Sequence, residues 1–390
     1  MKLADSASST ATQEERSASF VSEWFGYRVY PLVADGAAAL EAQSSRLCPF
    51  LTQITGDRTL CIKSAAASGI CTISSRSNGP RQDWLVGPFR AFSPSILVAA
   101  ADYLFPGRLR SDPLILPAPT LRKGEVRSAI REKLLAGGKC IVYLQNKLGG
   151  EISLSRTERS PELSFDVTTV ELALVDDQAA VDAFGILEVQ TMDFHGSYRA
   201  VVKNLDDALR LHAAGFHKTL QQNQEWLRQG IEGPNIANVF KRTFYQMMLK
   251  FKIGASDACT GCLLALPKSV WESWQRHLGG PDLAPTESGP YRLTVPGQPL
   301  PASPKTWIIV FDIDSQPSNG PSPIVLDKVI ATSAEALAYY AFEVAPSAAV
   351  SAGGPTASIA SQVRRRLAEF WPELATGLAS PRRRSRRKRP

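Results

Sequence analysis

The residues best suited to chemistry in this sequence are two acids 22 positions apart, Asp166 and Glu188. Each lies in a short apolar run that predicts a β-strand, 163–170 for the first acid and 184–190 for the second. If these strands are neighbours, both carboxylates can converge on one cation. Mg²⁺ prefers oxygen ligands and few protein carboxylates, and it lowers the pKa of bound water beside a phosphoryl group. The pair therefore indicates metal-assisted hydrolysis of a phosphodiester.

Two further side chains extend this pattern. Gln190 shares a strand face with Glu188, because side chains alternate along a strand. A Gln cannot act as a general base, but it can orient the attacking water by hydrogen bonds. Glu151 follows a Gly-Gly turn and begins a predicted strand at 151–154, where it could supply a third carboxylate for a second ion. The alternative is that these acids lie on unrelated strands, since the spacing also arises by chance in sheet proteins.

The elements that must position these residues can be predicted from the spacing of apolar residues. Alternating or continuous apolar runs predict strands, and apolar residues at spacings of three and four predict helices. Predicted strands are 139–144, 151–154, 163–170, 184–190, 306–311 and 322–329, and predicted helices are 120–135, 197–213, 222–229, 235–252 and 359–370. The clearest helix is 235–252, where apolar residues recur at spacings of three and four. Residues 344–361 are rich in Ala, Ser, Gly and Pro and predict a loop or linker. Together these elements predict an α/β or α+β domain with a central mixed sheet flanked by helices.

Charge is unevenly distributed along the 390 residues, whose formal net charge is +7. Residues 381–390 contain six Arg, one Lys and no acid, so the rest of the chain is neutral, with 37 basic and 37 acidic residues. Such a block often binds polyanions, and the alternative is a solubility or cloning-related tail.

No apolar run approaches the roughly 18 residues of a membrane span, and the first residues lack the apolar core of a signal peptide. We therefore expect a cytoplasmic protein whose six cysteines are thiols, metal ligands or core residues.

Six collinear blocks of this sequence resemble the NotI family of type II restriction endonucleases. They are residues 25–31 (FGYRVYP), 147–151 (KLGGE), 164–166 (SFD), 188–198 (EVQTMDFHGSY), 233–247 (GPNIANVFKRTFYQM) and 269–278 (SVWESWQRHL). The resemblance implies a PD-(D/E)xK nuclease core with Gln190 in the position of the motif's Lys. It also implies catalytic roles for Asp166 and Glu188, and Glu151 matches a further acidic residue near the metal.

The resemblance carries expectations about activity and partners. We expect a bacterial, Mg²⁺-dependent enzyme that hydrolyses phosphodiester bonds on both strands of a specific, GC-rich palindromic site. A homodimer would act on double-stranded DNA, because the two-fold symmetry of the protein mirrors that of the site. A cognate DNA methyltransferase would belong to the same restriction-modification system, and no membrane partner is expected.

The resemblance further implies a structural metal, which in the family is iron held by four cysteines near the N-terminus. Three of these positions match Cys48, Cys61 and Cys71, and the fourth falls on Gly87, which has no ligand atom. Closed thiolate sites need four donors. Either another group completes a site for iron or zinc, or the three cysteines are buried as small apolar residues.

Candidate DNA contacts follow from residue position. Period two places Glu162 on the face of Asp166, where a carboxylate could accept a hydrogen bond from cytosine N4. Asn238, Lys241 and Arg242 lie on the polar stripe of the clearest helix, where they could meet phosphates or base edges. The ordinary alternative for all four is a solvated side chain.

We expect four segments along the chain: a disordered N-terminus at 1–17, an N-terminal region with the cysteine subdomain at 18–95, a catalytic and DNA-recognition domain at 96–372, and a disordered basic tail at 373–390.

A second functional hypothesis is a sequence-specific DNA-binding protein without catalysis, because Gln190 replaces the Lys of the motif. Incubation with long GC-rich DNA, with and without Mg²⁺, distinguishes the enzyme from the binder.

Overall fold

This computed structural model describes residues 18–77, 79–107, 113–286, 289–314, 320–351 and 355–375. Most of the strands in these ranges join one large sheet. The strands are β1 Phe20–Trp24, β2 Tyr27–Arg28, β3 Ile70–Arg76, β4 Arg81–Leu85, β5 Leu114–Pro117, β6 Cys140–Gln145, β7 Ile152–Leu154, β8 Leu163–Phe165, β9 Val167–Val175, β10 Gln178–Val189, β11 Phe194–Gly196, β12 Ile231–Pro234, β13 Cys262–Pro267, β14 Ala284–Thr286, β15 Gly289–Arg292, β16 Thr306–Ile313 and β17 Ile324–Ala331. The large sheet has the order β14-β15-β17-β16-β13-β10-β9-β6-β5. A four-stranded sheet has the order β2-β1-β3-β4, and β7-β8 and β11-β12 are two-stranded ribbons.

The α-helices connect these strands, and several of them pack on the large sheet. They are α1 Ala37–Ser44, α2 Pro49–Thr55, α3 Pro94–Leu104, α4 Gly124–Leu135, α5 Arg199–Leu211, α6 Phe216–Gln222, α7 Ile236–Gly254, α8 Lys268–Trp274, α9 Ala334–Tyr339, α10 Ala345–Ser351 and α11 Pro355–Ala368. The expectation of a mixed fold with a central mixed sheet and helices is confirmed at this level. Among the described helices, none is both long and apolar enough to cross a membrane.

Strand β13 is buried along its whole length because helices cover both faces of the sheet. Its alternate side chains point to opposite faces. Leu264 joins an apolar cluster that contains Met247 of α7, whereas Leu263 joins a second cluster that contains Ile96 of α3. The strands β10 and β16 flank β13 in parallel, so the carboxyl ends of all three meet at one edge of the sheet.

The N-terminal sheet shares a core with later parts of the chain. Trp24 belongs to the same apolar cluster as Leu205 of α5 and Met247 of α7. Arg90 and Glu23 form a fully buried ion pair at 3.0 Å, and burial raises the pKa of Glu23 while Arg90 opposes that rise. The boundary expected near residue 95 therefore separates regions that are packed together.

Several secondary-structure predictions need correction. Residues 344–361 were expected to be a loop, but α10 and α11 occupy most of this stretch, because its many alanines favour a helix. The strand expected at 163–170 is broken at Asp166, which separates β8 from β9. The helix expected at 222–229 is a short 3₁₀ turn, Gln224–Arg228, and the helix α6 before it was missed. The disorder expected at 1–17 and most of the basic tail expected at 373–390 lie outside the described residues.

Candidate active site

The two acids singled out by their spacing meet at the edge where β10 ends. Strands β9 and β10 are antiparallel neighbours, with Val167 paired to Leu187. Asp166 comes one residue before Val167, and Glu188 comes one residue after Leu187. The register therefore brings the two carboxylates side by side.

Each acid is held by the backbone of the other strand. The backbone N–H of Asp166 donates to Oε1 of Glu188 at 3.2 Å, and the N–H of Val189 donates to Oδ2 of Asp166 at 3.1 Å. These hydrogen bonds explain why β8 and β9 separate at Asp166, since this residue uses its polar groups to contact Glu188 and Val189. The reciprocal pair fixes both side chains on the same side of the sheet edge.

A third charged residue completes the site, and the sequence analysis missed it. Lys250 of α7 donates to Oε2 of Glu188, and the two side chains are only 4% and 5% exposed. Buried positions of α7 include Thr243, Met247 and Phe251, and Lys250 lies in phase with them. A lysine at such a position is rarely buried without a partner, so its place in the apolar stripe signals a buried acidic partner but does not identify it. Periodicity alone does not show which strand the helix faces.

The environment of Glu188 disfavours its charged form. The pKa of Glu188 is raised to about 8, mainly by burial and also by the nearby Asp166 carboxylate, while the Lys250 ammonium opposes the rise. A buried carboxylate next to another acid gains from any cation that approaches it. The site therefore has the electrostatics of a cation-binding centre.

Gln190 follows the end of β10 and its amide is engaged by neighbouring residues. Thr243 of α7 donates its hydroxyl hydrogen to Oε1 of Gln190, and Nε2 of Gln190 donates to the carbonyl of Thr191. Thr243 and Lys250 are separated by two helical turns, so one face of α7 contacts both Gln190 and Glu188. These contacts fix the helix against the candidate active site.

Glu151 lies near the pair without joining it. It precedes β7, which pairs with β8 through Ile152 and Phe165, and continuing that register by one residue aligns Glu151 with Asp166. Its side chain is exposed. Within the described ranges, no three His, Cys, Asp or Glu side chains are grouped so that they could hold a metal ion. The two-carboxylate pair still fits Mg²⁺, which commonly uses one or two protein carboxylates and keeps several waters.

The candidate DNA contacts differ in their surroundings. Glu162, Asn238 and Lys241 are exposed. Arg242 is also exposed and forms an ion pair with Asp193 at 2.9 Å, so its guanidinium is already partnered in the free protein. Because Thr243 of α7 contacts Gln190 at the end of β10, the preceding turn with Lys241 and Arg242 lies close to the carboxyl edge of that strand.

The three cysteines of the N-terminal region line one cavity of about 170 Å³, together with Lys63 and Gly87. Burial raises the pKa of Cys71 to about 12, and its thiol donates to the carbonyl of Gly69 at 3.3 Å. Lys63 donates to the carbonyls of Ile70 and Val86. The three cysteines are not grouped as metal ligands in the described part of the chain, and Gly87 supplies no fourth donor, so they do not fit a closed site for iron or zinc.

Comparisons with known proteins add no relative. A scan against protein-family models finds no family that matches the chain, and a search of curated proteins finds no match. The functional interpretation therefore rests on the geometry of Asp166, Glu188 and their neighbours, and on the resemblance carried by the six sequence blocks.

Proposed function

We propose that this chain is a Mg²⁺-dependent type II restriction endonuclease with a PD-(D/E)xK core, similar to the NotI family. The observation that carries the proposal is the reciprocal contact between Asp166 and Glu188 at the end of β10. Two carboxylates held side by side at the carboxyl edge of parallel strands are suited to binding a divalent ion. The mixed sheet with helices on both faces is compatible with the proposed core.

Asp166 and Glu188 would hold the ion. When bound, Mg²⁺ lowers the pKa of a coordinated water and neutralises charge on the phosphoryl group. Asp166 and Glu188 position each other through backbone N–H groups, so the pair is organised before substrate binds. Gln190, held by Thr243, lies next to the pair, where its amide would orient the attacking water once it leaves the Thr191 carbonyl.

Duplex DNA would lie against the first turns of α7. Lys241 and Asn238 are exposed there, and a Lys at this point suits a phosphate. Arg242 would exchange Asp193 for guanine or a phosphate, and Glu162 could accept from cytosine N4, which together fit a GC-rich site. A homodimer would present two such sites to a palindrome, and a methyltransferase of matching specificity would protect the host DNA.

The decisive experiment replaces Asp166. Asp166→Ala removes one carboxylate of the pair, so we expect no Mg²⁺-dependent cleavage of long GC-rich DNA, while binding measured in Ca²⁺ persists. Asp182→Ala is the matched control, because Asp182 is an exposed acid on the same strand β10. Cleavage by Asp166→Ala at the wild-type rate would remove the carboxylate assignment.

The alternative is a sequence-specific DNA-binding protein without catalysis. It is favoured by one observation, that both ends of the Gln190 amide are engaged by Thr243 and Thr191 and so are not free to orient water. Discrete DNA fragments that appear only with Mg²⁺ support the enzyme. A mobility shift with intact DNA under the same conditions supports the binder.

A further inference from the structure

The buried ammonium group of Lys250 is the feature that the proposed hydrolysis leaves unexplained. It lies on the buried face of α7, and among the described residues its hydrogen-bond partner is Oε2 of Glu188. Lysines are seldom buried to this extent, because removing an ammonium from water costs several kcal/mol unless a counter-charge compensates. Lys250 therefore has a role that an ordinary core residue would not fill.

The hydrogen bonds of Glu188 indicate how Lys250 acts at this site. Oε1 of Glu188 accepts from the backbone of Asp166, and Oε2 accepts from Lys250. Both carboxylate oxygens are thus occupied by protein donors, and one of these donors is a cation. Each oxygen keeps a further lone pair, so a divalent ion can reach Glu188, but it would then lie beside the Lys250 ammonium. Of the two donors, Lys250 is the one on a flexible side chain, whereas the N–H of Asp166 belongs to the backbone.

We propose that Lys250 is a resident cation of the carboxylate pair, and that a divalent ion binds by displacing its ammonium from Glu188. This inference rests on the proposed function, because it takes Asp166 and Glu188 as the ion ligands. Two cations at one buried carboxylate repel each other strongly, since the low dielectric of the interior weakens screening. Exchange avoids this repulsion, whereas simple addition of the ion does not.

The exchange also couples ion binding to DNA binding. The displaced ammonium needs a new acceptor, because an unpaired buried charge is costly. A phosphate of the bound duplex is an anion of the required chemistry at the same edge of the sheet. The divalent ion should therefore bind weakly to the free protein and more tightly when DNA is present, and DNA should bind more tightly with the ion by the same factor.

Calorimetric titration of the folded protein with CaCl₂ at about pH 9, where protons compete least with metal ions for ligands, tests the exchange. Lys250→Met removes the competing cation, so we expect it to bind Ca²⁺ about tenfold more tightly than wild type when DNA is absent. Addition of long GC-rich duplex DNA should raise the Ca²⁺ affinity of wild type more than that of Lys250→Met. Lys252→Met is the matched control, because Lys252 lies on the same helix but is exposed and pairs with Glu335. It should titrate as wild type does.

The outcomes separate this inference from the proposed function. Ca²⁺ affinity of folded Lys250→Met that is equal to or weaker than that of wild type overturns the exchange. If Asp166→Ala also loses Ca²⁺ binding in the same assay, the assignment of Asp166 as an ion ligand stands, and only the role proposed for Lys250 is overturned. If neither wild type nor Lys250→Met binds Ca²⁺ with or without DNA, both proposals fail together. Should Lys250→Met not fold, Lys250→Gln provides the same removal of charge with a polar side chain.

Discussion

At the scale of single residues, the protonation state of Glu188 depends on its burial and on the charges of its neighbours. Burial and Asp166 favour the protonated carboxyl, and Lys250 favours the carboxylate. The group stays in this environment because its oxygens accept from Asp166 and Lys250. A buried acid with such opposing neighbours makes folding sensitive to pH.

The sign of this sensitivity can be predicted for the metal-free protein. The pKa of Glu188 rises from 4.5 in the unfolded chain to about 8 in the folded one. The folded state therefore holds its proton longer, so the contribution of Glu188 to stability is fullest below pH 4.5 and is lost as pH rises towards about 8. Such a shift corresponds to a loss on the order of 5 kcal/mol. Glu188→Gln should lack this decline.

Urea unfolding in EDTA at a series of pH values measures this effect. Between about pH 5 and pH 8, the free energy of unfolding of wild type should fall more steeply than that of Glu188→Gln. Asp182→Ala, an exposed acid on the same strand, should follow wild type. Parallel curves for wild type and Glu188→Gln would contradict the raised pKa.

Gly87 allows a second prediction at this scale. A Cβ atom at residue 87 would lie 3.7 Å from Cβ of Cys71, which is within the range of disulfide bonds. Gly87→Cys should therefore form a disulfide with Cys71 on oxidation, and titration with a thiol reagent should show two fewer thiols than in the reduced variant. Gly36→Cys is the control, because a Cβ atom there meets nothing within 4 Å, so its thiol should remain free. If metal analysis of the wild type finds one iron or zinc per chain, the interpretation of this cavity as lacking a closed metal site is wrong.

At the scale of elements, α7 links the two halves of the candidate site. Its buried face carries Thr243 and Lys250, which contact Gln190 and Glu188, and its exposed face includes Lys241. The helix was predicted to within two residues at each end, because an apolar stripe over so many residues has only one regular interpretation. The contact of Lys250 was not predictable, since periodicity identifies a buried face but not the strand opposite it.

The strands show the same division between local pattern and tertiary contact. The apolar runs that became β6, β10 and β16 were recognised, because buried strands of a mixed sheet are continuously apolar. The break at Asp166 was not, because it depends on hydrogen bonds to Glu188 and Val189, which lie more than 20 residues away. The closeness of the two acids was expected only on the condition that their strands were neighbours.

Lys241 allows a prediction about the exposed face of α7. If this side chain contacts a phosphate, Lys241→Ala should weaken DNA binding for cognate and unrelated sequences alike. The slope of log affinity against log salt concentration should become shallower by about 1. Fluorescence anisotropy between about 50 and about 200 mM salt measures it. Lys252→Ala, near the other end of the helix, should leave the slope unchanged, and an unchanged slope for Lys241→Ala would remove this residue from the DNA contact.

At the scale of the whole molecule, concerted cutting of both strands of a palindrome would use two copies of the proposed active site. Among the described residues, the C-terminal helix offers a self-complementary element for such pairing. Helix α11 and the residues after it expose Ile359, Val363, Leu367 and Trp371, which recur every four residues. In an antiparallel pair of these helices, Val363 of one copy meets Leu367 of the other, and Ile359 meets Trp371. The helix expected at 359–370 thus provides the candidate dimer contact.

This contact predicts that one charge on α11 dissociates the dimer. Leu367→Glu places a carboxylate at the centre of the apolar stripe, where pairing would bury it without a partner. Light scattering after size exclusion should then give the mass of a single 42.4 kDa chain instead of twice that mass. Leu211→Glu is the control, because Leu211 is equally apolar and more exposed but lies at the end of α5, so the dimer should persist. Since each protomer holds a complete carboxylate pair, the monomeric variant should still bind DNA but lose concerted cutting, and nicked circles should accumulate before linear DNA. Wild-type mass and concerted cutting in Leu367→Glu would show that the two copies meet through another surface.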